Sequence, residues 1–463
     1  MQTVKRLQSV RIKSGVFSRT YDLGNGSASI IYNTPAQTVT FLEDDSAQVW
    51  RRLHDSQGKP DEALKYIREN GQFESDPDVE AEAVLVDFLH ELDQSGLFVT
   101  YDVTPSRASN QDSATDREDA LSDLTISKYL SGQNILHSMV LELTYRCNER
   151  CVHCYLPENG FRSELTLERI DALFDEFTRL GGFVIQLTGG EPFLHRDFIQ
   201  ILGLVKKYKL VASISSNLTL MTDKILEAIA GIYPRWVGVS IYGHNESLHD
   251  SITKLPGSFQ KSIRAVKQLK TAGVPVVMKS PLMRANGPHW REIESLASEL
   301  ECECQFDLNI TAKNDGNHSP LAYRVDDDEL IHDIFSLRYS KMFIHGEQMS
   351  SMANASADMG ICGAGPSGLT IAPDGTIRPC IGLPTPIGKW PEQTLESAWK
   401  NSPFLKFFSA IKMRDIKPCN KCRDFAYCSR CPGAWQVETG DFKKPTNYTC
   451  RLGHAAARAM RPT

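Results

Sequence analysis

Apolar and polar residues follow three different patterns along this chain, and the changes of pattern divide it. In the first hundred residues, SASIIYNT (27–34) and QTVTFLE (37–43) alternate at a period of two, which predicts short strands. SAQVWRRLHDS (46–56) and VEAEAVLVDFLHELDQSG (79–96) then place apolar residues three to four apart. They predict amphipathic helices, the second stopping at Gly96. The acidic run Glu43, Asp44 and Asp45 between strand and helix reads as a solvated turn. TPSRASNQDSATDREDALSD (104–123) is almost free of apolar residues and reads as a linker. Residues 1–105 are therefore expected to form a small α+β unit of winged-helix layout, with a linker over 106–134.

From residue 135 to about 344 apolar strand-like runs recur: SMVLELT, GFVIQLT, LVASISS, WVGVSIY, PVVMKSPL and CQFDLNI. Amphipathic helices separate most of them. The clearest is TLERIDALFDEFTRLGG, where Leu167, Ile170, Leu173, Phe174, Phe177 and Leu180 form one stripe and Gly181 and Gly182 supply the stop. Six β–α repeats imply a parallel sheet, doubly wound or curved into a barrel. Strands covered on both faces normally read as continuous apolar runs. Here one face carries Glu142 and Thr144, Gln186 and Thr188, Ser213, Ser215 and Asn217, Ser240 and Tyr242, Lys279, and Asp307 and Asn309. That favours an open barrel with a wet interior that holds a polar ligand. The third region, 345–463, is rich in Gly, Pro and Cys and poor in periodicity. It has little apolar surface of its own, and metal ligation would supply the missing stability.

The composition is that of an ordinary soluble protein, 41% hydrophobic and 23% charged. A net charge of −6 argues against a nucleic-acid binder. MQTVKRLQSVRIKSG lacks the apolar core of a secretory signal, and no apolar run approaches the ~20 residues of a membrane span. A cytoplasmic setting is expected, where cysteine clusters point to metal or catalysis rather than to disulfides. Twelve cysteines are present and ten fall into clusters; Cys302 and Cys304 stand apart and read as core residues of the strand that carries Phe306, Leu308 and Ile310.

Cys147, Cys151 and Cys154 have the spacing C-x3-C-x2-C and follow the first strand of the repeating region, at the end where parallel α/β folds place their sites. Three thiolates can hold three irons of a [4Fe–4S] cluster and leave the fourth open. TGGEP follows the next strand, with two glycines for close backbone approach and a carboxylate suited to an ammonium group. On CNERCVHCY and LTGGEP, and through ISSNLTL (214–220), VSIYGHNESLHDSITKLPGSF (239–259) and VVMKSPLM (276–283), the central region resembles the radical S-adenosylmethionine (SAM) enzymes. The resemblance implies that SAM chelates the open iron, that one electron cleaves it, and that the resulting 5′-deoxyadenosyl radical abstracts a substrate hydrogen. By the same resemblance Gly189, Gly190 and Glu191 bind the methionine amino end, and Ser215, Ser216, Asn217 and Ser240 are candidates for ribose and carboxylate contacts, with Lys279 beside them. His153 stands where many members carry an aromatic residue, which assigns it to adenine.

The remaining clustered cysteines run C-x12-G-x4-C (Cys362, Gly375, Cys380), C-x2-C-x5-C-x2-C (Cys419, Cys422, Cys428, Cys431), then Cys450. Two C-x2-C pairs also suit a zinc ribbon, though seven cysteines do not divide into four-cysteine sites. CGAGPSGLTIAPDGTIRPC and the order of the set resemble the SPASM domain of radical SAM peptide maturases, with two rather than three residues before Cys431. The resemblance implies two auxiliary [4Fe–4S] clusters, one on Cys419, Cys422, Cys428 and Cys450, the other on Cys362, Cys380 and Cys431. No cysteine lies within 345–361, so the second is expected to have an open position, for a substrate thiolate, Asp358 or water.

In this context the first unit resembles the RiPP recognition element, a winged-helix domain that captures a leader peptide as an added strand. The expected fold is thus α/β, a partial (β/α)6 TIM-like barrel with an N-terminal winged-helix α+β domain and a C-terminal SPASM domain. The expected function is radical modification of a ribosomally made peptide or small protein, with thioether cross-links formed from Cys sulfur to carbon. Electrons would come from a donor such as flavodoxin or ferredoxin; neither nucleic acid nor membrane is an expected partner. Carbon–carbon cross-linking and Ser or Cys oxidation are the enzymatic alternatives, and a non-catalytic zinc-bound peptide scaffold is the alternative of another class.

Overall fold

A computed structural model describes residues 10–101, 126–342 and 358–460, apart from 25, 74–75, 94–95, 127–128, 131, 134, 158–162 and 429. The linker segment 104–123 lies outside the described residues. The chain divides into two compact units, Met1–Ile126 and Ser127–Thr463, so the cysteine-rich region belongs to the same unit as the barrel.

The first unit contains β1 (Val10–Ile12), β2 (Val16–Leu23), β3 (Gly26–Asn33), β4 (Thr38–Glu43), α1 (Asp44–Asp55), α2 (Asp61–Asn70), α3 (Pro77–Asp93) and β5 (Phe98–Tyr101). β2, β3 and β4 form an antiparallel sheet in that order, and β1 pairs with β5. The hydrophobic pattern located β3, β4, α1 and α3. It missed β2, whose SRTYD core is polar, and α2, which fully buries only Ala63 and Ile67. The acidic run is the start of α1. Asp44 accepts the Ser27 N–H at 3.3 Å and Asp45 the Tyr66 hydroxyl at 2.7 Å, and both carboxylates oppose the positive helix end. Trp50, Leu53, Ala81, Leu85, Leu89 and Ile31 close a core that lies wholly within this unit.

The second unit opens on β6 (Ser138–Thr144) and continues through α4 (Leu167–Arg179), β7 (Val184–Gly189), α5 (Phe198–Lys207), β8 (Val211–Ser216), α6 (Asp223–Ala230), β9 (Trp236–Ser240), α7 (Glu246–Thr253), α8 (Ser258–Thr271), β10 (Val276–Pro281), α9 (Trp290–Glu299) and β11 (Glu303–Asp307). The six strands pair in parallel in chain order as a partial barrel, with β11 and β6 at its two ends not paired to each other. α4 shows why the pattern was readable. Thr166 caps its first turn, and Ile170, Leu173, Phe174 and Phe177 are buried against the sheet. Each large side chain so buried contributes about 2–3 kcal/mol. Cys304 is buried on β11 and Cys302 packs against the same core, as expected of core residues.

After α10 (Asp328–Met342) come β12 (Gly368–Ile371), β13 (Thr376–Arg378), β14 (Gly388–Lys389), α11 (Leu395–Lys400), α12 (Pro403–Ala410), α13 (Pro432–Thr439) and α14 (Asn447–Met460). β12 pairs in parallel with β6, and β13 and β14 follow antiparallel, so the barrel sheet runs on as a nine-stranded sheet into the cysteine-rich region. Leu369, Ile371, Ile377, Trp399, Leu405 and Leu452 share the barrel's core. This region therefore borrows apolar surface from the barrel as well as using its own ligands. Gly375 turns the β12–β13 hairpin at φ +88°, and a side chain there would stand 2.0 Å from the Trp390 carbonyl.

Candidate active site

β6 ends at Thr144 and runs straight into the loop of Cys147, Cys151 and Cys154. Two hydrogen bonds fix one side of that loop to the end of α7, from the Arg150 N–H to the Thr253 carbonyl (2.8 Å) and from the Val152 N–H to the Ile252 carbonyl (3.1 Å). Two more fix it to the segment after β7, where the Gly190 N–H donates to the Thr144 carbonyl (2.7 Å) and the Glu191 N–H to the Arg146 carbonyl (2.8 Å). A Cβ on Gly189 would stand 2.3 Å from the Thr144 oxygen, and one on Gly190 2.4 Å from that of Arg146. The glycines do admit a close approach, but the group that approaches is the cysteine loop.

Glu191 is fully buried, and burial pushes its carboxyl up to about 7. It accepts the Ser216 hydroxyl (2.8 Å) and the N–H groups of Phe193 (3.0 Å) and Asn217 (2.8 Å). Asn217 in turn donates to Asn148 in the cysteine loop (3.0 Å) and lies 3.9 Å from the Cys147 sulfur. Three predicted residues from two motifs thus form one network beneath the thiols. Ser215 accepts from Gln186 (3.0 Å) inside the barrel, and Ser240 bonds the Tyr242 hydroxyl. Lys279 lies beside Gly238 and the Trp236 ring. Gly238 leaves its stem room to lean over the Trp236 ring, 4.0 Å from the centroid, toward the N-terminal ends of the strands and away from the cysteine loop. Burial lowers its ammonium to about 8. His153 meets Tyr242 edge-on at 4.7 Å, and burial pushes its imidazole down to about 4.

Much of the barrel's polar interior is hydrogen-bonded within the protein. Glu142 accepts the hydroxyls of Tyr145 (3.0 Å) and Tyr155 (3.1 Å), which flank the cysteine loop, and pairs with Arg378 of β13; both members of the pair are buried. Asp307 accepts from Asn309. Sequence reasoning did not foresee the Arg378 partner, because the β6–β12 pairing that delivers it joins residues more than two hundred positions apart. It also passed over Glu149. That carboxyl is buried between Cys147 and Cys151, accepts the Cys151 thiol at 3.3 Å, and has one oxygen without a partner. Burial pushes it up to about 7. The available signal was a charged residue inside a run of three candidate ligands.

The thiols gather in three groups. Cys147, Cys151 and Cys154 lie within electrostatic reach of one another. So do Cys362, Cys380 and Cys431, and so do Cys419, Cys422, Cys428 and Cys450. Burial pushes Cys147 up to about 12 and Cys380 to about 11. Backbone N–H groups aim at several of these sulfurs, from Glu149 to Cys147 (3.4 Å), from Gly363 and Ala364 to Cys362, from Gly382 and Leu383 to Cys380, and from Ala434 to Cys431 (3.4 Å). Among the described residues no group of three or more His, Cys, Asp or Glu side chains is arranged to hold a single metal ion, whereas thiolates of an iron–sulfur cluster each take a different iron.

Residues 141–299 match the radical SAM superfamily, and residues 362–432 match the SPASM iron–sulfur cluster-binding domain. The antilisterial bacteriocin subtilosin biosynthesis protein AlbA of Bacillus subtilis is 30% identical over 322 residues, 64% of this chain and 67% of AlbA. The chain belongs to the radical SAM superfamily. The AdoMet-dependent heme synthase of Methanosarcina barkeri is 24% identical over 333 residues, 66% of this chain and 94% of that enzyme. Streptococcus suis SuiB, in a crystal structure bound to precursor peptide SuiA, shares the fold with a TM-score of 0.61 at 14% identity, over 95% of this chain and 99% of SuiB.

A radical SAM enzyme with a SPASM domain carries a SAM-binding [4Fe–4S] cluster and auxiliary clusters. The donor set here fits such groups. The thiols are gathered as three, three and four, and backbone N–H groups aimed at sulfur stabilise thiolate once iron has displaced the proton. Asp358, one of the competing fourth ligands, pairs with Arg414 at the surface.

Proposed function

We propose that this radical SAM enzyme modifies a ribosomally made peptide or small protein, forming thioether cross-links from cysteine sulfur to carbon. The observation that carries the reading is the fold shared with SuiB over 95% of the chain, a span that takes in the N-terminal unit as well as the thiol groups. AlbA is a biosynthesis protein of the bacteriocin subtilosin. In this reading residues 1–105 form the leader-binding domain, and β4, whose outer edge is unpaired among the described residues, offers the strand to which a leader adds. Residues 135–344 form the radical-generating barrel and 345–463 the SPASM domain.

Cys147, Cys151 and Cys154 hold the cluster that binds SAM. When bound, that cluster and SAM supply the carbon radical that abstracts a substrate hydrogen. The chain's own part is positional. Gly190 and Glu191 tie the cysteine loop to β7, Ser216 and Asn217 hold the Glu191 carboxylate, and Tyr145 and Tyr155 tie the loop's two ends to Glu142. Cys419, Cys422, Cys428 and Cys450 complete one auxiliary site. Cys362, Cys380 and Cys431 supply three ligands of the other and leave a position for a substrate thiolate.

The test is anaerobic reconstitution. The reading expects about twelve irons per chain, four for each of three clusters. Replacing Cys147, Cys151 and Cys154 with Ala is expected to remove about four of these irons and abolish SAM cleavage. Incubation with a Cys-containing precursor is expected to give a product lighter by two hydrogens per cross-link, with one thiol lost each time. A product that keeps every thiol rejects the thioether and leaves carbon–carbon cross-linking or side-chain oxidation. A second reading, chemistry on a tetrapyrrole, draws on the match to 94% of the heme synthase, and it expects tight porphyrin binding in place of peptide binding.

A further inference from the structure

The chain is acidic overall, with a net charge of −6, yet residues 412–423 carry five cations and one carboxylate. This segment holds Cys419 and Cys422. Its apolar residues Met413 and Ile416, with the preceding Ile411, are buried in a small core with Trp435 and Phe408. That leaves Arg414, Lys417, Lys421 and Arg423 exposed around two half-buried thiols. The local carboxylates offset only part of this charge. Asp358 pairs with Arg414, and Asp415 caps the Lys412 N–H. Asp424 is buried against His454 at 2.7 Å, with Arg423 4.0 Å away. Lys417 and Lys421 have no ion-pair partner among the described residues.

We propose that this face is the docking site of an acidic one-electron carrier protein, of the flavin or iron–sulfur class, which passes its electron to the cluster on Cys419, Cys422, Cys428 and Cys450. The inference rests on the ligand assignment proposed above. The transfer oxidises the carrier by one electron and reduces the cluster by one, and no covalent bond forms or breaks. Two physical effects favour this face. An acidic carrier is repelled by the net charge of the chain and attracted to its basic patch, which steers encounter to one orientation. The half-buried thiols also place the acceptor beneath the contact, with no intervening layer of core.

The experiment uses the full-length, cluster-loaded protein. Binding of an acidic flavodoxin is measured at low, physiological and high salt, and reduction of the clusters by reduced flavodoxin is followed by stopped flow. Lys417→Glu/Lys421→Glu is expected to weaken binding and slow reduction at low salt by roughly tenfold or more, with the difference closing at high salt. Photoreduction by deazaflavin, which needs no docking, is expected to be unchanged, and so is the behaviour of Lys261→Glu/Lys267→Glu on α8. Iron content reports whether the variant is loaded; if the charge reversal loses iron, the neutral pair Lys417→Ser/Lys421→Ser carries the test. Wild-type docking and reduction rates in a loaded variant overturn the proposal. So does a face that takes up phosphatidylglycerol vesicles or single-stranded RNA through the same lysines and leaves the carrier unbound. A failure of peptide modification under photoreduction counts against the proposed function and leaves the docking result standing.

Discussion

Gly190 and Lys279, both candidates for SAM contact from the sequence, have different surroundings in the fold. Gly190 lets the segment after β7 lie against the cysteine loop, with no room for a Cβ beside the Arg146 carbonyl. Gly190→Ala is therefore expected to shift that loop, costing about 2 kcal/mol or more of stability and lowering iron content at the three-thiol site while the C-terminal thiol sites still load. Denaturant unfolding and iron analysis check both parts. Lys279 is half-buried, and that burial lowers its ammonium from 10.5 to about 8. The folded state disfavours its charged form, so below about pH 8 the protein bears the full penalty, about 3 kcal/mol, and the penalty is relieved as pH rises toward 10.5. Lys279→Met is expected to stabilise the protein at pH 7 by up to that amount, less the lost contact with Trp236, and the gain is expected to shrink to less than half by pH 9.5. Unfolding of both proteins at the two pH values measures it. The sequence marks Lys279 as a polar strand residue and does not show which way its long side chain leans.

At the scale of elements, regular periodicity was legible and long-range pairing was not. All six barrel strands and α4 stood out from the hydrophobic pattern, because each buries a face on the same sheet. The β12–β13 hairpin did not register as part of that sheet. Its strands are four and three residues long, too short for a period to show, and its neighbour β6 lies over two hundred residues upstream. The site followed the same rule. Spacing pointed to the group of Cys147, Cys151 and Cys154, and the SPASM resemblance implied the other two groups, whereas Glu142 looked like a wet barrel residue because Arg378 reaches it only through that hairpin. The pair is a buried ion pair, so removing one member leaves an uncompensated charge. Arg378→Met alone is expected to destabilise by about 3–5 kcal/mol, and Glu142→Leu/Arg378→Met together by much less. A double-mutant cycle from urea unfolding checks the coupling. The same cycle, read by iron content, tells whether the hairpin also supports Tyr145 and Tyr155 at the ends of the cysteine loop.

Among the described residues the two largest hydrophobic cores are separate, one within residues 10–97 and one shared by the barrel and the cysteine-rich region. That division makes a specific prediction about how its work is divided. Every thiol of the three groups, and every residue that holds the cysteine loop, lies after Ser127. A chain shortened to residues 127–463 keeps its own core and all ligands, and is expected to assemble about twelve irons and to cleave SAM at close to the full-length rate under photoreduction. The first unit has a sheet whose outer strand is unpaired among the described residues, and no clustered thiols, which suits capture of an extended segment and no step of the radical chemistry. The shortened chain is therefore expected to lose most of its turnover on a precursor with its leader attached. Adding residues 1–126 as a separate chain is expected to restore part of that turnover. Full peptide turnover by the shortened chain would mean that recognition resides in the barrel or the SPASM region. Loss of iron or of SAM cleavage would mean that the first unit supports the catalytic fold itself. Iron analysis, SAM cleavage and leader binding, measured on the same two proteins, separate these outcomes.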